Sequence, residues 1–166
     1  MINLYKLHSK PKTLFGYDRV MQIPEMAWEM TDNKQKDKLK SVWIKDPQYA
    51  YRYARMKNTT WPEAEPVIAQ DAKYAYYYAD YLLRSRFPAG EAAIARDPDT
   101  SLAYAQIIIK GPWKPGEPAI AKKADNSYKY ARYIIKSRFP LGEPAIAELG
   151  YYAYHYSVSV IKGPWP

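Results

Sequence analysis

The fold is decided by the stretch WKPGEPAIAKKADNSYKYARYIIKSR at residues 113–138, which recurs as FPLGEPAIAELGYYAYHYSVSVIKGP at residues 139–164. Related copies occupy residues 61–86 and 87–112. Each copy is 26 residues long and opens on an aromatic residue, giving the series Trp61, Phe87, Trp113, Phe139 and Trp165. A helical unit of this length cannot bury its apolar face alone, so the copies are expected to stack on one another.

Turn signals and helix signals alternate within residues 113–138. A Pro-Gly turn precedes Glu117, whose charge is favourable at the positive end of a helix, and Pro118, which the first helical turn accepts. These signals predict a short helix over residues 119–123. The segment Ala-Asp-Asn-Ser at residues 124–127 predicts a break and a new N-cap, followed by a second helix over residues 128–137.

The second helix of each copy carries one face of small and apolar residues. In residues 113–138 this face comprises positions 127, 130, 131, 134 and 135, which recur at helical spacing and predict the core. The opening aromatic residues are predicted to join that core, and Trp165 is expected to fill the last open pocket. Residues 151–161 are rich in strand-forming side chains, but the repeat register predicts a helix there.

The copies define the expected architecture. A degenerate earlier copy is visible at Tyr53-Ala54, which matches Tyr78-Ala79 at a step of 25 residues. The sequence therefore predicts an all-α fold, an α-solenoid of tandem helix-turn-helix repeats behind an N-terminal cap. The predicted boundaries are residues 1–35 for the cap and residues 36–60, 61–86, 87–112, 113–138 and 139–166 for the array.

Composition restricts the class of protein. The 166 residues include 18 tyrosines and no cysteine, so disulfides and zinc-thiolate sites are excluded. No run of about 18 apolar residues is present, and the N-terminus lacks the apolar stretch of a signal peptide, so neither a membrane span nor secretion is predicted. The net charge of +8 is uneven: residues 1–60 carry 12 basic and 6 acidic side chains, residues 61–112 carry 5 and 7, and residues 113–166 carry 8 and 4.

No catalytic constellation is present in the sequence. His8 and His155 lie far apart, and there is no phosphate-binding glycine loop or paired metal-ligand spacing. We therefore predict that the protein is not an enzyme and uses no cofactor or metal. Four glutamates recur in step and are predicted to stabilise helix N-termini or to pair between repeats: Glu65, Glu91, Glu117 and Glu143.

A stripe of positions on the second helix varies between copies while the core positions do not. A constant core with a variable surface stripe is typical of repeat proteins that recognise a partner, and Tyr, Arg and Met are enriched at protein interfaces. We predict a protein-binding scaffold that uses this stripe, hereafter the variable stripe. Its residues are Arg52, Met56, Tyr77, Tyr81, Ile107, Lys129, Tyr133 and His155.

Two alternatives remain open. The basic ends of the chain could bind nucleic acid, although the acidic middle interrupts any continuous basic track. A component of a virus particle or of its assembly is the other alternative. The candidate nucleic-acid-binding residues are Lys36, Lys38, Lys40, Arg55, Lys57, Lys122, Lys123 and Arg132.

Several segments point to a family. The units RFPAGE at residues 86–91 and GEPAIA at residues 142–147, each followed by a Tyr-Ala-rich helix, resemble short α-helical tandem-repeat proteins of tailed bacteriophages. The opening segments YKLHSKP at residues 5–11 and LFGY at residues 14–17 resemble a leader placed before such repeats. The resemblance implies an accessory phage protein acting in the cytoplasm of the infected bacterium. Together with the variable stripe, this leads us to expect that the protein binds and modulates a host or defence protein. The resemblance transfers no catalytic residue.

Overall fold

A computed structural model describes residues 28–29 and 31–165 of the chain. Within these residues the protein is all-α and contains no β-strand, which confirms the all-α part of the predicted fold class. The chain divides into two compact units, unit 1 at residues 1–68 and unit 2 at residues 69–166. The division falls inside the copy predicted at residues 61–86. Most of the N-terminal cap predicted at residues 1–35 lies outside the described residues.

Unit 1 is built around an aromatic cluster. Its helices are α1 (Asn33–Trp43), α2 (Pro47–Lys57) and α3 (Glu65–Ile68), and a 3₁₀ turn at Pro62–Ala64 leads into α3. Asp46 caps α2 by accepting hydrogen bonds from the backbone N–H groups of residues 48 and 49. Trp43 and Tyr53 are buried with their ring centroids 5.7 Å apart. Trp61 packs 4.7 Å from Tyr53, so the opening aromatic contacts the tyrosine of the preceding copy.

Unit 2 repeats a short helix followed by a longer one. The long helix of each copy continues into π-helical turns at Ala79–Leu83, Ala105–Ile109, Tyr130–Ile135 and Ser157–Ile161. A 3₁₀ turn at Lys114–Gly116 precedes α7. The α-helices are α4 (Ala72–Tyr78), α5 (Pro88–Ile94), α6 (Pro98–Tyr104), α7 (Glu117–Ile120), α8 (Ala124–Lys129), α9 (Glu143–Ala147) and α10 (Gly150–Tyr156).

The N-cap predicted within residues 124–127 is wrong. Helix α8 begins at Ala124, so Lys123 occupies the cap position and makes no capping hydrogen bond. Ser127 instead lies buried inside the helix, where its hydroxyl donates to the carbonyl of Ile120 at 3.2 Å. The prediction failed because a serine at a helix-helix contact has the same local signature as a cap. Asp97 occupies the true cap position of the preceding copy and accepts from Thr100 at 2.8 Å.

Each long helix of unit 2 ends on a basic residue in the left-handed conformation. Lys110 has φ 57°, and its N–H and that of Gly111 both reach the carbonyl of Ala105. Glycine is the usual residue at such an end because it has no Cβ. A cation there interacts favourably with the negative end of the helix dipole. The equivalent residues are Arg84, Lys136 and Lys162.

The core of unit 2 follows the repeat. The tyrosines at the repeated position are fully buried, and Phe87, Trp113 and Phe139 are nearly so, which confirms the predicted core at these positions. The repeated isoleucines of the short helices are also fully buried, although the sequence analysis did not assign them to the core. Residues 134 and 135 are only half-buried. Residues 151–161 are helical, as the register predicted. Trp165 is half-buried with its ring 5.0 Å from that of Tyr156, as expected for the residue that fills the last pocket.

Candidate interaction surface

The in-step glutamates and tyrosines form a link inside each of the three copies that begin at residues 87, 113 and 139. The Tyr104 hydroxyl accepts a hydrogen bond from the backbone N–H of Phe87 at 2.9 Å and donates one to Glu91 at 2.8 Å. Burial raises the pKa of Tyr104 to about 12, and Glu91 adds to the rise. The phenol therefore stays protonated and acts as a donor to the carboxylate. The same link joins Trp113, Tyr130 and Glu117, and Phe139, Tyr156 and Glu143.

A cation completes each link. The guanidinium of Arg86 donates two hydrogen bonds of 2.8 Å to Glu91, and this pairing lowers the pKa of the Glu91 carboxyl. Arg138 pairs with Glu143 in the same bidentate way. These glutamates therefore hold the fold together. Sequence analysis missed the tyrosine partner, although the spacing of 13 residues between Glu and Tyr recurs in each of these copies.

The variable stripe of unit 2 presents large apolar side chains to solvent. Tyr81, Ile107 and Tyr133 occupy one position in consecutive copies, and their exposed fractions are 46%, 43% and 58%. Lys129 is exposed, whereas Tyr77 and His155 are half-buried. The structure thus places an exposed row, one residue per copy, along the second helices.

Neighbouring rings extend this row. Tyr77 lies 5.8 Å from Tyr81, measured between ring centroids. Tyr128, which sequence analysis did not select, has its ring 6.4 Å from that of Tyr133 and 6.2 Å from that of His155 in the following copy. The sequence signal for Tyr128 was that its repeat position holds a large apolar or aromatic side chain in every copy, as at Tyr76, Leu102 and Tyr154.

The stripe residues predicted in unit 1 have a different setting. Met56 packs against the buried cluster that contains Trp43 and Tyr53, and it is half-buried. Arg52 is also half-buried. Met56 therefore contributes to the core of unit 1 as well as to its surface.

The residues predicted for nucleic-acid binding fall in both units, and three of those in unit 1 gather around one aromatic ring. In unit 1 the ammonium groups of Lys36, Lys40 and Lys57 lie 5.1, 5.8 and 4.2 Å from the ring centroid of Trp28. In unit 2 Lys123 forms an ion pair of 2.7 Å with Asp99. The remaining candidates are exposed: Lys38, Arg55, Lys122 and Arg132.

Two equivalent shallow grooves lie at the π-helical ends of unit 2. Each groove contains one residue of the apolar row and two of the left-handed basic residues. Since both grooves combine an apolar contact with two cations, they suit a ligand with apolar and acidic groups. The first is lined by Asp80, Arg84, Gln106, Ile107, Ile108 and Lys110, and the second by Ala131, Arg132, Tyr133, Lys136, Ser159, Val160 and Lys162.

Among the described residues, no cluster of His, Cys, Asp and Glu has the geometry of a metal site. Over the same part of the chain, no helix combines the length and the apolar character that crossing a membrane requires. Comparison of the chain with protein-family models, with curated proteins and with solved structures finds no similar protein.

Proposed function

We propose that the protein is a non-enzymatic scaffold that binds a partner protein through the variable stripe. In this proposal the copies form an α-solenoid behind an N-terminal cap at residues 1–35. The protein would act as an accessory phage protein in the cytoplasm of an infected bacterium, where it modulates a host or defence protein. The 26-residue period and the stacking of each opening aromatic on the preceding tyrosine support the solenoid.

The exposed row of Tyr81, Ile107 and Tyr133 carries the proposal. These helices bury a face of tyrosine and alanine, yet the row stays in solvent at the same position of three consecutive copies. Burying one such side chain stabilises a complex by about 1.5–3 kcal/mol before other terms are counted. Aromatic side chains are also enriched among the residues that dominate binding energy.

The grooves indicate the chemistry of the partner. Arg84 and Lys110 flank Ile107, while Lys136 and Lys162 flank Tyr133. A segment that combines acidic and apolar side chains would complement both grooves. Capture of a partner with such a segment should therefore weaken with added salt, but less steeply than capture of a polyanion does.

The test is affinity capture from bacterial lysate with three full-length proteins: wild type, a stripe variant and a control. The stripe variant carries Tyr81→Lys, Ile107→Lys and Tyr133→Lys. The control carries Leu141→Lys and Leu149→Lys, two exposed leucines outside the stripe. We expect wild type and control to retain one nuclease-resistant partner that the stripe variant loses. Equal retention by all three proteins would remove the stripe from the proposal.

Nucleic-acid binding is the second candidate function. The lysines around Trp28 favour it, because interleaved cations and aromatic rings suit single-stranded nucleic acid. The ion pair of Lys123 with Asp99 and the presence of Asp80 in a groove weigh against it. A gel shift with single-stranded DNA at increasing salt tests this candidate, and a Lys40→Glu, Lys57→Glu variant should abolish the shift. For the remaining alternative, a virion component, the test is mass spectrometry of purified particles.

A further inference from the structure

The two grooves of unit 2 occupy equivalent places in the repeat but differ in charge. The first groove contains the carboxylate of Asp80 beside its two left-handed basic residues. In the second groove Arg132, two copies later along the chain, occupies the position of Asp80. Together with Lys136 and Lys162 it gives this groove three cations, and none of the described residues that line it is acidic. The second groove is therefore the stronger attractor of anions.

The cations of the second groove project from a fixed backbone. Lys136 and Lys162 are left-handed, with φ 52° and 60°, and the N–H of each bonds back into its own helix. The guanidinium of Arg132 lies 5.4 Å from the centroid of the Tyr133 ring, within the range of a cation–π contact. All three cations are exposed, so they present their charge to the same patch of solvent.

The neutral lining of the two grooves also differs. Ser159 stands in the second groove where the first groove has Ile107. The Ser159 hydroxyl donates to the carbonyl of His155, so it makes the lining less apolar without supplying a donor to a ligand. Tyr133 adds a phenol, which can donate a hydrogen bond. The second groove therefore suits a ligand with several acceptor oxygens more than it suits an apolar side chain.

We propose that the second groove binds a phosphate monoester, carried by a phosphorylated side chain of the partner protein, an inference that rests on the proposed function. Such a group has a charge of about −1.5 to −2 at pH 7 and three strong acceptor oxygens. Three cations match this charge better than that of one carboxylate, and arginine can bind phosphate through two parallel hydrogen bonds. A nucleic-acid backbone fits less well, because it needs cations along its length and Asp80 interrupts the first groove.

The first experiment is an NMR titration of the full 166-residue chain with phenyl phosphate, a small phosphate monoester. Amide signals of residues 131–136 and 159–162 should shift and saturate, with a dissociation constant in about the millimolar range. Those of residues 106–110, in the first groove, should stay in place. Benzoate, which joins the same ring to a single carboxylate, should bind several-fold more weakly. The absence of a saturable shift, or equal binding of benzoate, would overturn the proposal.

Two reciprocal substitutions test the role of charge. Arg132→Asp gives the second groove the acid of the first, and it should abolish the shifts. Asp80→Arg gives the first groove three cations, and it should create phosphate-dependent shifts at residues 106–110. Circular dichroism checks that both variants fold, since Asp80 also accepts a hydrogen bond from Tyr76 at 3.3 Å. Phosphate binding that survives Arg132→Asp, or a folded Asp80→Arg chain that gains none, would contradict the charge argument.

Nucleic acid is the alternative source of phosphate groups. Oligothymidylate at the same total phosphate concentration should shift the amides of the second groove less than phenyl phosphate does, because each phosphodiester carries a single charge. A larger shift would identify nucleic acid as the ligand and refute a phosphorylated side chain.

The last experiment links the groove to the partner. Phosphatase treatment of the lysate before capture should abolish retention of the nuclease-resistant partner by wild type. Retention that survives phosphatase but is lost from the variant with Tyr81→Lys, Ile107→Lys and Tyr133→Lys would refute the phosphate group and keep the scaffold. Retention by that variant would instead remove the stripe. The two proposals can therefore fail separately.

Discussion

Copies of unit 2 that open on phenylalanine differ from the copy that opens on tryptophan in how the half-buried glutamate is paired. Arg86 directly precedes Phe87 and pairs with Glu91 through two hydrogen bonds. In the tryptophan copy the preceding residue is proline, so Lys114 from the turn approaches Glu117 instead, at 3.1 Å. Both kinds of copy keep the tyrosine hydroxyl between the backbone N–H and the carboxylate. The tyrosine link is thus the common element, and the cation can be exchanged.

The two cations differ physically. The guanidinium of Arg86 matches the carboxylate in a planar, bidentate geometry, while an ammonium acts as a point charge. The Lys114 side chain is 83% exposed, so water screens its pairing strongly. We therefore expect the tyrosine link to stabilise the fold more than the cation does, and Arg86 to contribute more than Lys114.

The largest expected effect comes from removing the link itself. Tyr104→Phe and Tyr130→Phe should each destabilise the fold by about 1–3 kcal/mol, because the buried N–H and the carboxylate lose a partner. The phenylalanine ring keeps its packing on Trp113 or Phe139. Urea unfolding followed by circular dichroism measures both. The exposed Tyr133→Phe is the control, with an expected change within about 0.5 kcal/mol. A much smaller loss for Tyr130→Phe would break the claim that both kinds of copy share the link.

The next effect concerns the tight turn that brings the opening aromatic over the short helix. A Cβ at Gly142 would stand 2.5 Å from both the Phe139 ring and the Ser127 hydroxyl. Gly142→Ala should therefore destabilise by about 1–3 kcal/mol through overpacking. Gly116→Ala, in the tryptophan copy, meets Trp113 at 2.5 Å and should behave alike.

Gly150→Ala supplies the control for this pair. A Cβ at Gly150 meets open space within the first turn of α10. The substitution should stabilise by about 0.5–1 kcal/mol, since alanine restricts the unfolded chain and favours the helix. In thermal melts, a lower melting temperature for Gly142→Ala and a higher one for Gly150→Ala would support the geometry. Shifts of both melting temperatures in the same direction would contradict it.

The sequence was sufficient for the repeat, the helical class and most of the core, because those depend on a period that four copies repeat. It was insufficient for the tyrosine link. Glu91 and Tyr104 lie on two different helices, and the sequence does not show how the connection between these helices brings the two side chains together. Local signals also misplaced the N-cap at residues 124–127, where Ser127 serves a helix contact. The π-helical ends had no sequence marker that could separate them from ordinary helix termini.

A smaller effect separates the two kinds of copy directly. Arg86→Gln should destabilise more than Lys114→Gln, and both less than the tyrosine substitutions. The pKa of Glu91 is lowered in the folded state, first by Arg86. The stabilisation is therefore complete above the unfolded value of about 4.3 and is lost as pH falls through the folded value.

The measurement is the urea midpoint of wild type and the two variants from neutral pH down to acidic pH. Arg86→Gln should reduce the loss of stability at acidic pH, since it removes the main cause of the lowered Glu91 pKa. Lys114→Gln should leave most of it in place. If both variants changed the profile equally, the distinction between the two cations would be lost.

The smallest expected effect lies at the left-handed helix ends, where both kinds of copy agree. Lys110→Gly removes the Cβ penalty at φ 57° but adds freedom to the unfolded chain, so the net gain should be about 0.5 kcal/mol or less. Arg84→Gly should match it in a urea titration. All four copies nevertheless place a basic residue where glycine is the usual choice. If Lys110→Gly leaves stability intact but weakens capture of the partner, the charge at this position serves the groove beside Ile107. If capture is unchanged, the lysine serves only the helix dipole.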